Sequence, residues 1–181
     1  NMQRLADWIG AAATLLAEDS GGGSFDEVWP ALWLRLAREC PDKPLPLPVV
    51  SCTLEYRGQF DTFDALNRQD AENLYGYFQE EGLITGKPVG KKSNSPTPTD
   101  LRATEYLRAP QAGLLAYCVE LGDEVSKGDR IADLLLLDGD GAFVERIPLL
   151  AGTTGRVISR ATTKYVWHNA NIAKIVGSEV L

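Results

Sequence analysis

A single glutamate stands near the end of an otherwise apolar stretch, Leu47-Pro48-Val49-Val50-Ser51-Cys52-Thr53-Leu54-Glu55-Tyr56-Arg57-Gly58. Its alternation predicts a β-strand from Val49 to Tyr56, with Glu55 on the same face as Ser51 and Thr53. A carboxylate on such a strand is solvated, paired with a cation, or kept for chemistry such as proton transfer, because burying an isolated charge is costly. The residues alone also allow a plain sheet edge, where Glu55 meets water or Arg57.

Other residue types that carry chemistry are few. His168 is the one histidine in the sequence, and Cys40, Cys52 and Cys118 are scattered without the spacing of a metal site. We interpret His168 as a turn or surface residue rather than a metal ligand. The loop Ser20-Gly21-Gly22-Gly23-Ser24 precedes a predicted helix and could hold an anion there. It lacks the dinucleotide fingerprint and the lysine of a P-loop, so a flexible turn is the simpler interpretation.

Composition narrows the class of protein. The chain has 181 residues, with 25 acidic against 18 basic side chains and a formal charge of −7, which argues against a nucleic-acid partner. No apolar run is long enough to span a membrane, and no signal peptide is visible. Three unpaired cysteines fit reduced thiols in a cytoplasmic protein. Asn1 before Met2 resembles the remnant of an expression tag, so Met2 is either a native start or a cut within a longer protein.

The first half has helical periodicity. Apolar spacing predicts helices over 3–17, 25–39 and 64–81, with Ser24 as the N-cap of the second and Gly82 at the end of the third. Leu15 and Leu16 fit a short strand equally well. Pro30 predicts a late start or a kink in the second helix, and the four prolines within 41–48 predict a loop. We therefore expect an α/β segment over 1–86. A linker or long loop over 87–102 is expected to follow, because its residues 88–100, PVGKKSNSPTPTD, are polar and of low complexity.

The second half, 103–181, contains a repeat. Ala109–Leu115 matches Ala151–Val157 at an offset of 42 between Gly113 and Gly155, and Val125…Leu134 matches Val166…Ile175 at an offset of 41. Two copies joined by glycine turns predict a pair of interlocked β-units. This half resembles the lipoyl/biotinyl-like β-sandwich, or barrel-sandwich hybrid. Carrier domains of that type present a lysine between the copies, whereas the hairpin here, Leu137–Phe143, has none. The module is therefore interpreted as structural or as a lid.

The order of these parts resembles the C-terminal part of the succinylglutamate desuccinylase/aspartoacylase family, which are zinc amidohydrolases related to zinc carboxypeptidases. The residues that carry the resemblance are Ser20–Glu27, Thr53–Gly58, the helix after Asp64, and Tyr106–Gly113. The resemblance places Glu55 on the catalytic glutamate of the family, as general base and then acid. The family commonly has Val-Glu-Leu-Gly-Gly where this chain has Leu-Glu-Tyr-Arg-Gly. The resemblance implies an α+β chain, a partial zinc-carboxypeptidase-like segment followed by the lipoyl-like module.

The same resemblance identifies what this sequence does not contain. The family binds zinc through a His-x-x-Glu motif and a second histidine, and neither can be placed here. A catalytic zinc needs about three protein ligands. We therefore expect the chain to be the C-terminal piece of a longer enzyme, inactive alone, with zinc in the intact parent and no zinc on this chain. The expected substrate of that parent is an N-acyl amide of an amino acid or a similar small acid, and the substrate-binding residues stay unknown.

Two further expectations concern partners. If the zinc-bearing portion is absent, surface that it covers would be exposed, and we expect copies of the chain to associate and form a homo-oligomer. The rival interpretation is a non-catalytic interaction or scaffold module with a lipoyl-like β domain, in which Glu55 is a surface carboxylate.

Overall fold

The computed structural model describes residues 2–17, 23–45 and 50–181. The chain divides into two compact units, residues 1–98 and residues 99–181. The first is mainly helical and the second is built of antiparallel strands, which confirms the α+β class. Within the described ranges, no helix is both long and apolar enough to cross a membrane.

The first unit contains helices α1 (Met2–Ile9), α2 (Phe25–Glu39) and α3 (Asp64–Glu80), and a short strand β1 (Leu15–Leu16). The predictions for α2 and α3 are confirmed. The predicted helix over 3–17 is wrong beyond Ile9, because Gly10 has a φ of 68° and turns the chain out of the helix. The open alternative, a short strand at Leu15 and Leu16, is the correct one. Ser24 lies at the N-cap of α2, although its side chain makes no capping hydrogen bond.

Three side chains from two helices form the small core of the first unit. Leu5 and Trp8 of α1 pack with Tyr77 of α3, and partly buried apolar side chains surround them. The helices approach closely at Gly76, where a Cβ would lie 2.6 Å from the Trp8 ring and 1.9 Å from the Val89 carbonyl oxygen. Only glycine therefore fits at that position of α3.

Residues 87–98, which belong to the predicted linker over 87–102, contact the helices of the first unit. The Asn73 side-chain oxygen accepts a hydrogen bond from the Lys91 N–H at 2.9 Å. The Asp7 carboxylate accepts one from the Ser95 N–H at 3.0 Å, and the Asp7 carbonyl accepts one from the Ser93 N–H at 2.8 Å. The hydrogen bond from Lys91 gives the buried side chain of Asn73 a polar partner.

The predicted strand over 49–56 is wrong as a strand. Val49 lies outside the described residues, and the described part, 50–56, pairs with no other strand among the residues that the structure describes. The predicted alternation of faces nevertheless holds for the side chains up to Glu55, whereas Tyr56, predicted on the packed face, is 40% exposed. Val50, Cys52 and Leu54 pack against the core of the first unit, whereas Thr53 and Glu55 are exposed. The apolar pattern thus predicts which side of the segment is packed. It does not predict that the segment pairs with another strand in a β-sheet.

The second unit begins with the short strand β2 (Thr99–Asp100), and a 3₁₀ turn, Leu101–Ala103, follows it. Eight further strands make two four-stranded antiparallel sheets, in the orders β3-β10-β8-β5 and β7-β6-β4-β9. Their bounds are β3 (Thr104–Arg108), β4 (Gly113–Tyr117), β5 (Glu124–Val125), β6 (Arg130–Leu137), β7 (Phe143–Leu150), β8 (Gly155–Arg160), β9 (Tyr165–Val166) and β10 (Asn171–Gly177).

The repeat predicted from the sequence is present in this topology. Exchanging β3, β4, β5 and β6 for β7, β8, β9 and β10 converts the order of one sheet into that of the other. Each sheet therefore contains strands of both copies. Fully buried aliphatic side chains of the equivalent strands β6 and β10, among them Ile131, Leu134, Ile172 and Ile175, form the centre of the core.

The two glycines that begin the copies have equivalent neighbours. A Cβ on Gly113 would lie 2.7 Å from the Leu135 carbonyl oxygen, and one on Gly155 would lie 2.0 Å from that of Val176. Leu135 and Val176 occupy equivalent positions of β6 and β10. The repeated glycines are therefore explained by close backbone approach between neighbouring strands.

Candidate active-site region around Glu55

Glu55 lies on the extended segment 50–56 of the first unit with its side chain exposed. Among the described residues, none forms a hydrogen bond or ion pair with its carboxylate. The alternative that Glu55 pairs with Arg57 is wrong, because Arg57 forms an ion pair with Asp70 of α3. The exposed carboxylate is therefore accessible to solvent and to a small ligand.

The segment before Glu55 is attached to α2 by a hydrogen bond that Pro30 makes available. Proline has no N–H, so the carbonyl of Asp26, four residues earlier, lacks its helical donor. The Ser51 hydroxyl donates to that carbonyl at 2.8 Å. The Thr53 hydroxyl donates to the Asp26 carboxylate at 3.1 Å. The predicted kink at Pro30 does not interrupt α2, and the carbonyl that Pro30 leaves unpaired instead anchors the segment that carries Glu55.

Tyr56 faces α3 on the other side of the segment. It lines an open groove of about 300 Å³ together with Asn67, Asp70, Ala71 and Leu74 of α3. Burial raises the pKa of the Tyr56 phenol, and the negative charge of Asp70 raises it further. Burial likewise raises the pKa of the Cys52 thiol, so both groups stay neutral at pH 7. These neighbours hold the segment in place and leave Glu55 as the carboxylate that it presents to solvent.

Arg57 ends the segment in an uncommon conformation. Its φ is 50°, in the left-handed region that favours glycine. This is the position at which the pattern Val-Glu-Leu-Gly-Gly has its first glycine. The hydrogen bond to Asp70 raises the pKa of the Arg57 guanidinium and keeps it charged. Gly58 then donates its N–H to the Asp61 carboxylate at 2.9 Å and completes the turn. The ion pair offsets the strain of a non-glycine residue two positions after Glu55.

Replacing Arg57 by alanine is expected to destabilise the first unit more than replacing it by glycine. Both changes remove the ion pair with Asp70, but only alanine retains the cost of a left-handed φ, about 1 kcal/mol. Urea unfolding of the two variants, followed by circular dichroism, measures the difference. Equal stability of both variants, or a less stable glycine variant, would contradict the backbone argument.

The remaining predicted site residues do not join Glu55. His168 is exposed in a turn of the second unit, between β9 and β10. The glycine loop, apart from Gly23 and Ser24, lies outside the described residues. In the part of the chain that is described, no three of the histidine, cysteine and acidic side chains lie close enough together to hold a metal ion. These residues by themselves do not fit a catalytic zinc, which needs about three protein ligands.

Sequence reasoning missed the residues that hold Glu55 in place. Asp70 and Ser51 have no motif, since their roles depend on contacts between elements that are distant in sequence. Pro30 did carry a signal, because a proline inside a helix frees the carbonyl four residues before it. That signal identifies the carbonyl of Asp26 as an available acceptor, but it does not identify Ser51 as the donor.

Comparison with known proteins supports the fold. No model of a protein family matches the chain, and no curated protein matches it. Solved structures do. A succinylglutamate desuccinylase/aspartoacylase from Shewanella frigidimarina NCIMB 400 is 22% identical with a TM-score of 0.76, over 96% of this chain and 47% of that one. A protein of the same family from Shewanella amazonensis SB2B is 24% identical with a TM-score of 0.77, over 95% of this chain and 47% of that one.

A third structure extends the similarity across nearly the whole chain. It is a succinylglutamate desuccinylase from Silicibacter sp. TM1040, 22% identical with a TM-score of 0.67, and the match covers 98% of this chain and 48% of that one. The chain thus spans about half the length of the structures that it matches. The resemblance indicated by the sequence is confirmed at the level of the fold, which is that of about half of a succinylglutamate desuccinylase/aspartoacylase family protein.

Proposed function

We propose that this chain is the C-terminal part of a hydrolase that cleaves an N-acyl amide of an amino acid or a similar small acid. The observation that carries the proposal is Glu55, a solvent-facing carboxylate on a segment fixed from both sides, in a chain with the fold of this hydrolase family. A general base has to reach a water molecule while its backbone stays in place.

Glu55 would act twice in such a reaction. Its carboxylate first takes a proton from the water that attacks the amide carbonyl carbon. It then gives that proton to the amide nitrogen as the carbon–nitrogen bond breaks, which releases the acid and the amine. Proton transfer by a positioned side chain contributes about 10²- to 10⁴-fold to a rate. The hydrogen bonds of Ser51 and Thr53 to Asp26, and the ion pair of Arg57 with Asp70, would supply the positioning.

Zinc dependence belongs to the proposal. Since the described residues do not fit a zinc site, its ligands would come from elsewhere in a longer protein, and the chain alone would be inactive. The domain organisation that we propose is an α/β segment over 1–86, a connection over 87–102 and a β module over 103–181.

We interpret the β module as a lipoyl-like barrel-sandwich hybrid, on the strength of its exchanged strands. The turn between β6 and β7, residues 138–142, has no lysine to carry a cofactor. Its Asp138 instead accepts hydrogen bonds from the N–H groups of Asp140 and Ala142, at 3.0 and 2.8 Å. We therefore propose a structural or covering role for the module.

The first test is the zinc content of the purified chain, incubated with zinc and desalted. We expect much less than one zinc per chain and no hydrolysis of a panel of N-acyl amino acids. In an active longer protein that includes this chain, Glu55→Gln should lower kcat by about 10²-fold or more, with Glu72→Gln, an exposed glutamate of α3, as the matched control. One tightly held zinc per chain, or full activity of Glu55→Gln, would overturn the proposal.

One observation favours a second candidate, a non-catalytic scaffold module. Glu55 is exposed, and the described residues provide no metal site beside it. In that case a longer reading frame would encode no His-x-x-Glu motif upstream, and no longer protein that contains the chain would hydrolyse an N-acyl amino acid.

A further inference from the structure

The turn after Glu55 places an arginine where the backbone favours glycine. Arg57 has a φ of 50°, in the left-handed region, and the family pattern Val-Glu-Leu-Gly-Gly has a glycine at this position. Backbone strain of this kind persists only where the surrounding structure enforces it, and it clusters at functional sites. It is therefore the side chain of Arg57, and not its backbone conformation, that accounts for an arginine here.

The Arg57 guanidinium is charged, accessible and only partly used by the fold. Its hydrogen bond to Asp70 raises its pKa, and 34% of the Arg57 side chain is exposed. A guanidinium has five N–H groups, and among the described residues the Asp70 carboxylate is the one acceptor that Arg57 contacts, through Nη1. The ion pair thus orients the guanidinium and leaves further N–H groups available to a ligand.

We propose that Arg57 binds the carboxylate of the substrate, and so restricts the site beside Glu55 to acyl amides that carry a free acid. This inference rests on the proposed function, because Glu55 has to be the residue beside the cleaved amide. A planar guanidinium binds a carboxylate through two parallel charge-assisted hydrogen bonds, which are about twice as strong as those to a neutral group. Since the family pattern has glycine here, the assignment is particular to this chain.

The separation of the two residues suits such a substrate. Residues of an extended chain advance about 3.3 Å each, so the Cα atoms of Glu55 and Arg57 are about 6–7 Å apart. In an N-acyl amino acid a single carbon joins the cleaved nitrogen to the carboxylate. A ligand held at Arg57 by its carboxylate therefore presents its amide bond close to the carboxylate of Glu55.

The charges around this stretch make a cation necessary for an anionic substrate. The carboxylates of Asp26, Asp61 and Asp70 each bind a residue of the stretch that carries Glu55. Arg57 is the one basic residue in the sequence from 50 to 61. Like charges at close range disfavour binding, so a carboxylate that approaches this stretch is attracted by Arg57 alone among its residues.

The first test compares an N-acyl amino acid with its uncharged primary amide, in an active longer protein that includes this chain. Arg57→Gly, in which glycine adopts the left-handed φ without strain, should lower kcat/KM for the acid at least about tenfold more than for the amide, mainly through KM. Arg57→Lys keeps the charge without the planar fork and should show a smaller difference. Arg68→Gln removes an exposed arginine of α3 and, as the matched control, should leave the ratio of the two substrates unchanged.

The ratio of acid to amide separates binding from a structural role. If Arg57 only stabilises the turn, Arg57→Gly changes kcat/KM for both substrates by the same factor, and that result would overturn the inference. Circular dichroism of each variant establishes that it is folded.

The second measurement needs no turnover. In the full chain, the Nε–H NMR signal of Arg57 should shift on addition of N-acetylglycine and stay in place on addition of its primary amide. A signal that responds to neither compound, or equally to both, would overturn the inference. A longer protein that hydrolyses neither the acid nor the amide would instead contradict the proposed function, and the NMR titration would still decide the role of Arg57.

Discussion

Gly155→Ala is expected to destabilise the second unit by about 3 kcal/mol or more. The added Cβ would lie 2.0 Å from the carbonyl oxygen of Val176 and 2.8 Å from the Cα of Gly177. Both are backbone atoms of β10, the central strand of its sheet together with β8, so neither can move without breaking the ladder. Urea unfolding, followed by hydrogen exchange of the amides of β10, measures the loss.

The control for this substitution is Gly139→Ala. Gly139 lies in the turn between β6 and β7, and a Cβ there would meet no atom within 4 Å. It should therefore change stability by less than about 0.5 kcal/mol. Gly113→Ala is the equivalent change in the first copy and should be destabilising for the same reason, through the Leu135 carbonyl at 2.7 Å. A Gly155→Ala protein as stable as Gly139→Ala would contradict the close approach of β8 and β10.

Trp8→Ala is expected to destabilise the first unit by about 3–5 kcal/mol. Trp8 is 5% exposed, and it is one of three buried side chains in the core of that unit. Its indole N–H donates to the Glu80 carboxylate, and the Lys92 ammonium lies 5.2 Å from the ring centre. Removing the ring therefore leaves a cavity, and it takes away the surface on which Val50, Cys52 and Leu54 pack; Glu80 keeps its ion pair with Lys92. Hydrogen exchange of the α3 amides, combined with urea unfolding, measures the loss.

Trp167→Ala controls for the loss of a tryptophan. Trp167 is 70% exposed in the second unit and its ring meets that of Tyr165 edge to face, so its removal should leave the first unit unchanged and cost the second unit no more than about 1.5 kcal/mol. If Trp8→Ala leaves the exchange of the α3 amides unchanged, Trp8 is not part of a cooperative core, and the positioning of Glu55 would need another explanation.

The helices α2 and α3 could be predicted because their apolar spacing and flanking residues are local signals. Helix α1 could be predicted only in part. Its apolar spacing continues through Leu16, while the left-handed φ of Gly10 ends the helix at Ile9. A glycine inside a periodic pattern fits both a continued helix and a stop, so spacing alone cannot decide between them.

The segment that carries Glu55 illustrates a second limit. Its alternation correctly predicted that Val50, Cys52 and Leu54 lie on the packed side, because alternation reports side-chain environment. It did not predict hydrogen bonding, since a ladder requires a second strand and the sequence of one strand does not contain its partner. The contacts that do hold the segment, from Asp26 and Asp70, join residues far apart in the chain.

The sequence predicted two interlocked copies of a repeat, but not which strands pair between the copies. Equivalent glycines at 113 and 155 revealed two copies, and their offset aligned the strands correctly. In the structure β3 pairs with β10, and β7 pairs with β6. These pairings depend on how the two similar copies close around a shared core. Aliphatic residues at equivalent positions of the two copies could form a core whether each copy paired its own strands or the copies exchanged them.

The exchange of strands has a consequence for how the second unit folds. Thr104–Arg108, the first strand of the two four-stranded sheets, pairs with the last, Asn171–Gly177. Its sheet therefore cannot form until the last strand is available. Closing a loop of that length costs conformational entropy before any stabilising contact has formed. Folding rates fall as contacts become more distant in sequence. During synthesis the first copy would leave the ribosome with its edges unpaired and would stay unfolded until the second copy arrives. A chain cut between β6 and β7 would therefore yield two fragments that fold only together, although each contains one complete copy of the repeat.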